Sequence, residues 1–248
     1  MNRYLILFIL LCFSSLLKSQ SLRIHEQYFI MNYSQVRESM NYGFVFNGPQ
    51  LQYGRSWQWN KEFVRYQLES QLGIGLLSEK GSCYDFHLSP IHFNFLVNLD
   101  RQLGIGPCFI SDYNYEFYPD LQAGHGFWFS TYSAGICLDF RKSFTKRILF
   151  VKCQSTLFGF TSRTPDDFDA LFFDIGFKDA MRDLHKDMRL TAFNAYQVIH
   201  IEAGFTSLKT QRIHLSCLVD YKNYRPDPDW TRLDIGIKLT IHSKPGRL

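Results

Sequence analysis

63-FVRYQLESQLGIGLL-77 is a stretch with two faces. Successive side chains of an extended chain point to opposite sides. Val64, Tyr66, Leu68, Ser70, Leu72, Ile74 and Leu76 therefore share one face, and Phe63, Arg65, Gln67, Glu69, Gln71, Gly73 and Gly75 share the other. Apart from Phe63 and Ser70, one face is apolar and the other carries charges, amides and glycines. The run is long beside the roughly 5–6 residues of a typical soluble strand. A strand that crosses a bilayer needs about 9–11 residues, apolar toward lipid and polar toward the lumen.

The same pattern recurs along the chain. Over 128–141, Trp128, Ser130, Tyr132, Ala134, Ile136, Leu138 and Phe140 oppose Thr131, Ser133, Gly135, Asp139 and Arg141. Over 212–222, Ile213, Leu215, Cys217, Val219 and Tyr221 oppose His214, Ser216, Asp220 and Lys222. The cleanest alternation is 232–242, where Leu233, Ile235, Ile237, Leu239 and Ile241 face away from Arg232, Asp234, Gly236, Lys238, Thr240 and His242. Weaker versions occupy 51–59, 86–99, 103–113, 149–160 and 197–207. Short turns are expected at Asn60-Lys61, Asp100-Arg101, 143–146 and Lys209-Thr210, and longer connections at 78–84, 112–124, 161–196 and 223–229. Short turns at one end and long loops at the other fit an up-and-down barrel with its turns in the periplasm. An upward strand must then precede residue 51, and Asn41 to Phe46 followed by Asn47-Gly48-Pro49 is the expected one. The fold class is all-β: an antiparallel transmembrane up-and-down β-barrel of about 10 strands, within 8–12, because closure favours even numbers.

Residues 1–19 read as a signal peptide, and 20–248 as the barrel domain. Arg3 supplies the positive start, Leu5 to Leu17 the apolar stretch, and Ser19 a small residue before the cut. Cys12 follows Leu11 instead of a small residue, so no lipoprotein acylation site is read there. Beyond Gln20 no window approaches the roughly 18 apolar residues of a spanning helix. A mean hydropathy of −0.18 likewise excludes a bundle of membrane helices. The aromatic fraction of 17% suits both strands and the aromatic girdles of membrane barrels. Removing Arg3 and Lys18 takes the net charge from +4 to +2, with no Lys/Arg run, so nucleic acid is not an expected partner. Of the 6 Cys, Cys12 leaves with the signal; the remaining Cys83, Cys108, Cys137, Cys153 and Cys217 are an odd, scattered set that forms neither a disulfide framework nor a metal cluster.

In these features the chain resembles the small outer-membrane β-barrel proteins of diderm bacteria, those with export signals and eight to twelve strands. The resemblance spans nearly the whole mature chain and rests on pattern, with no diagnostic motif. It implies the cell outer membrane as the location and membrane lipids as partners. Such proteins often end on an aromatic residue in the last strand, whereas here Ser243 to Leu248 follow it.

Within 161–196, Pro165 followed by Asp166 and Asp167 is expected to cap a helix whose Phe168, Leu171, Phe172 and Ile175 share a face; Gly176 would interrupt it and 178–188 resume it, giving a partly helical outer loop, with an extra hairpin as the alternative. His87-Leu88-Ser89 places a base and a nucleophile on one strand face, roughly 6.6–7 Å apart. If the outward register of Ile91, Phe93, Phe95 and Val97 continues back, both face lipid, and the pair looks like the His-x-Ser element of outer-membrane lipid A deacylases; Pro90 departs from that pattern, and neither Asp85 nor Asp139 can be assigned to orient the histidine. Asp166, Asp167 and Asp169, and Asp227 and Asp229, lack EF-hand spacing and read as solvated loop charge. The inward Arg65, Glu69, Asp139, Arg141, Asp234 and Lys238 are expected to form a salt-bridged plug, since only much wider barrels leave a channel. Trp57 and Trp59 at one end, with Trp128 and Trp230 at the other, are expected at the two membrane interfaces.

No catalytic, cofactor-binding or metal-binding residue is assigned. The expected function is non-enzymatic: structural, adhesive or ligand-binding through outer loops that meet an extracellular partner, or a narrow pore. The alternatives are a lipid hydrolase using His87 and Ser89, and a soluble secreted β-barrel with an apolar ligand inside.

Overall fold

In the computed structural model the described residues form eleven antiparallel strands: β1 (Leu22–Glu38), β2 (Val45–Asn60), β3 (Val64–Ser78), β4 (Ser82–Asn98), β5 (Leu103–Tyr118), β6 (His125–Ser143), β7 (Arg147–Arg163), β8 (Arg189–Ala192), β9 (Tyr196–Ser207), β10 (Ile213–Tyr224) and β11 (Trp230–His242). Described residues are 22–39, 43–61, 63–100, 102–120, 125–145, 147–163, 185, 187–207 and 213–242. Each strand pairs with its sequence neighbour, β7 with β9, and β11 returns to β1, so ten strands close a ring with no free edge. The four-residue β8 stands outside the ring and lengthens the sheet beside Phe158–Thr161 of β7. The signal segment 1–19, the tail 243–248 and the helix expected from 166 onward lie outside the described residues, apart from positions 185, 187 and 188.

Which face looks outward decides the environment. Met31, Leu72, Ile74, Ile235 and Ile237 are all more than half exposed, while Glu69, Asp85, Lys152, Arg232 and Asp234 are buried. A soluble barrel does the reverse, so the soluble reading is set aside: here the apolar face is the outside and the charges fill the lumen. Ile237 lies in the middle of β11, opposite Met31 on β1 and Cys217 on β10. Ile237→Arg is expected to cost about 2–4 kcal/mol in bilayer-embedded protein, from a charge set near the lipid midplane. Urea unfolding in vesicles measures it, and an unchanged midpoint would mean that this face does not meet lipid.

The turn between β4 and β5 shows how short connections are fixed. Asp100 Oδ1 accepts the backbone N–H groups of Gln102 at 2.6 Å and Leu103 at 2.7 Å, an Asx turn. Those two donors hold the Asp100 carboxyl below its usual range. Inside the ring, Tyr28 lies flat over Gly54, its partner across β1 and β2; a Cβ there would sit 2.3 Å from the tyrosine ring. Only glycine leaves room for that side chain in the lumen.

Three expectations about the strands are corrected. The first upward strand is β1, not Asn41 to Phe46, and Asn47-Gly48-Pro49 lies within β2 instead of forming a turn. The 78–84 loop is a tight turn, with Ser78 opposite Ser82. Strands at that end also run further than expected: β5 continues through Asp112 to Tyr118, and β10 reaches Tyr224.

Candidate functional site

The lumen is the candidate site, because it gathers most of the chemistry-bearing side chains. It is filled in three levels. At the end carrying the longer connections, Val36, Phe46, Leu77, Cys83, Tyr118, Phe127, Phe129, Tyr196, Val198, Tyr224 and Trp230 form a buried cluster. Trp230 stacks on Phe129 with centroids 4.8 Å apart and a 25° tilt, and its Nε1–H donates to Glu116 at 2.8 Å. Arg163 meets Glu38 within this level.

The middle level is a set of buried charge pairs, the longest of them struts between strands that are not neighbours. Arg232 of β11 donates from Nη1 and Nη2 to the two oxygens of Asp85 on β4, each at 2.9 Å, and from Nε to Asp234 at 2.8 Å. Lys152 of β7 reaches Glu69 of β3 at 2.8 Å, and Lys238 reaches Glu202 at 3.1 Å. Lys222 of β10 meets Asp112 of β5, whose other oxygen lies 2.5 Å from His87 Nε2. His200 Nδ1 lies 2.6 Å from Asp220. A cavity of about 40 Å³ remains among these groups, enough for only a few water molecules.

At the turn end, Leu96, Cys108 and Cys137 pack together, and Arg65 and Arg141 share Asp139 at 3.0 and 3.2 Å. A vestibule of about 480 Å³ opens beyond them, lined by Arg65, Arg141 and the amides Gln58, Asn60, Asn98 and Gln102. The expected plug of Arg65, Glu69, Asp139, Arg141, Asp234 and Lys238 is therefore present, in three separate ion-pair groups. Lys152, Glu202, His200, Glu38, Arg163, Asp112 and Lys222 complete it and were not among the residues expected in the plug.

His87 and Ser89 are not on the lipid face. The pairing of β4 with β5 slips between Leu88 and Ile91, around Pro90, and that with β3 slips between Glu69 and Gln71. The slip reverses the parity of the strand, so Ile91 and Val97 point outward while His87 and Ser89 point inward, each only 3% exposed. The partner of His87 is Asp112, not Asp85 or Asp139. Ser89 Oγ donates to the backbone oxygen of Ser111 at 3.0 Å.

The tryptophan expectation is corrected at one end. Trp57 and Trp59 occupy outward positions near the turns, but Trp230 turns into the lumen and Trp128, on an outward position, is almost covered. Outward Ser111, Ser130 and Ser162 are also buried. Near them His185 Nε2 sits 2.7 Å from the Tyr132 hydroxyl, its ring stacked on Tyr132 at 5.9 Å. The long connection thus lies against the outer wall of β5 and β6 at this point.

Asp229 pairs with Arg37 at 3.5 Å, while Asp166, Asp167 and Asp169 lie outside the described residues. The cysteines 83, 108, 137, 153 and 217 are free thiols. Among the described residues no group of three or more metal-ligating side chains gathers.

No protein-family model matches the chain, and no curated protein matches it by sequence. Among solved structures it is similar to the β domain of the Bordetella autotransporter BrkA, at 6% identity and a TM-score of 0.49, covering 88% of this chain and 99% of that one. It is similar to the translocator domain of the autotransporter NalP from Neisseria meningitidis, at 7% identity and a TM-score of 0.47, covering 92% and 91%. It is also similar to an outer membrane channel from Pseudomonas putida F1, at 7% identity and a TM-score of 0.46, covering 91% and 97%. The inside-out distribution of its own side chains is what bears on its surroundings.

Proposed function

We propose that the chain is a non-enzymatic outer-membrane β-barrel that anchors its longer connections at the cell surface, where they act in structure, adhesion or ligand binding. The single observation that carries this reading is the combination of an apolar outer wall with a lumen closed by side chains through its middle and outer levels. The wall supports residence in a bilayer. A closed ring has no edge left to satisfy, as a strand protein in lipid requires. The turn end faces the periplasm and the opposite end faces outward, following the usual length asymmetry of such barrels.

The filled lumen favours presentation over transport. Solute passage would have to displace the Trp230–Phe129 stack and break the Arg232–Asp85 and Lys152–Glu69 struts. Chemistry on membrane lipid is disfavoured on the same ground, since His87 and Ser89 open onto the internal cavity. The refolded mature chain in a planar bilayer is expected to show no unitary conductance at moderate voltage. Stable, reproducible conductance steps would overturn the reading and make the plug a gate.

A further inference from the structure

The barrel closes where β11 meets β1, and a pair of histidines sits beside that seam. Glu26 of β1 is the register partner of His242 on β11. His214 lies on the same lumen face of neighbouring β10, near the turn end. The two imidazoles are 4.0 Å apart between centroids and tilted by 48°. His242 Nε2 is directed at the edge of the His214 ring, touching Nε2 and lying 3.3 Å from Nδ1. On the opposite side of the His242 ring, Glu26 Oε1 lies 3.2 Å from Nδ1.

We propose that His214 and His242 bind one divalent metal ion of the imidazole-preferring class, zinc, nickel or copper, and that the ion clamps β10 to β11 from the lumen side, beside the closing seam. The chemistry of the donors supports this. A carboxylate beside Nδ1 fixes the tautomer that keeps its proton there, which leaves the Nε2 lone pair of His242 free to ligate. Two imidazole nitrogens on one tetrahedral zinc stand about 3.3 Å apart, given zinc–nitrogen bonds of about 2.0–2.1 Å. His242 Nε2 already stands at that spacing from His214 Nδ1, while the two Nε2 atoms touch and must part for an ion to enter between them. Water from the turn-end mouth completes the coordination. Glu26 offsets part of the added charge, and Arg141, the cation whose field reaches His242, is engaged by Asp139. Because β10, β11 and β1 are separated on unfolding, metal binding is linked to the closed state.

The test uses the full mature barrel folded in detergent, titrated with zinc chloride, with the temperature at which the folded gel band is lost as the readout. Saturating zinc is expected to raise that temperature by about 5–10 °C, the shift that binding at about a hundredfold over Kd gives a barrel of this size. The rise is expected to vanish in His242→Gln and in His214→Gln, and Glu26→Gln is expected to weaken zinc affinity about 10-fold or more. An unchanged temperature in the parent protein, or an equal rise in both histidine variants, would overturn the proposal. Should the variants fold poorly, diethyl pyrocarbonate labelling of the parent chain decides: zinc is expected to protect His214 and His242, and equal labelling with and without zinc refutes the site.

Discussion

Arg232→Ala is expected to destabilise the barrel by about 3–5 kcal/mol, because it strands buried carboxylates without their cation. Arg232 is fully buried, with one guanidinium edge on Asp85 and its Nε on Asp234. Asp85 would keep the Gln50 Nε2 donor at 2.7 Å, but nothing would neutralise it. Arg232→Lys rescues little, since an ammonium cannot present the two-pronged edge to Asp85 while also reaching Asp234. The combination Arg232→Met, Asp85→Asn and Asp234→Asn is expected to recover most of the loss, because removing all the charges together leaves none unpaired. Equilibrium unfolding in urea with the protein in vesicles measures each variant. A single-variant loss below about 1 kcal/mol would show that the lumen is wetter than the packing implies.

Trp230→Ala comes next, at an expected cost of about 3–5 kcal/mol for emptying a well-packed aromatic site. The indole is almost fully enclosed and carries two jobs, stacking on Phe129 and donating to Glu116. Trp230→Phe separates them. It retains the stack and removes the Nε1–H, so it is expected to cost about 1–3 kcal/mol from the donor lost to the buried carboxylate. Glu116 keeps the Tyr118 hydroxyl at 2.7 Å, which bounds that loss. Equal stabilities for the two variants would mean that the ring contributes nothing beyond its hydrogen bond.

Most of the ring was legible from alternation alone, because nine of its ten strands contrast a polar inner face with an apolar outer one over much of their length. The exceptions have a common physical cause. On β1 the inward positions mix Tyr28, Ile30 and Val36 with Asn32, Ser34 and Glu38, and the outward ones mix Phe29, Met31 and Tyr33 with Gln27, Gln35 and Arg37, so the faces do not contrast and the period of two disappears. The outer plug does the same to the top of β2 through Phe46. The stretch from Asp112 to Tyr118 reads as a loop by composition, yet Asp112, Asn114 and Glu116 are inward and Tyr113, Tyr115 and Phe117 are outward. His87 and Ser89 were misplaced for a different reason. Parity counted from Ile91 fails once a bulge consumes an extra residue, and Pro90 was the local signal for it. The cross-lumen partners, such as Asp85 with Arg232, are 147 positions apart in the chain, and no local pattern couples them.

The struts have a consequence for how the molecule reaches its membrane. A lone hairpin such as β3 and β4 would present Glu69, Asp85 and Arg65 to acyl chains, at a cost that grows with the depth of each charge in the bilayer. Their partners Lys152, Arg232 and Asp139 come from β7, β11 and β6, made later in the chain. Strand-by-strand insertion is therefore uphill until the last segments arrive, and the inner charges act as a checkpoint that only a nearly complete cylinder passes. The ion pairs that fill the lumen thus set the order of events, with curling of the sheet ahead of full burial in lipid.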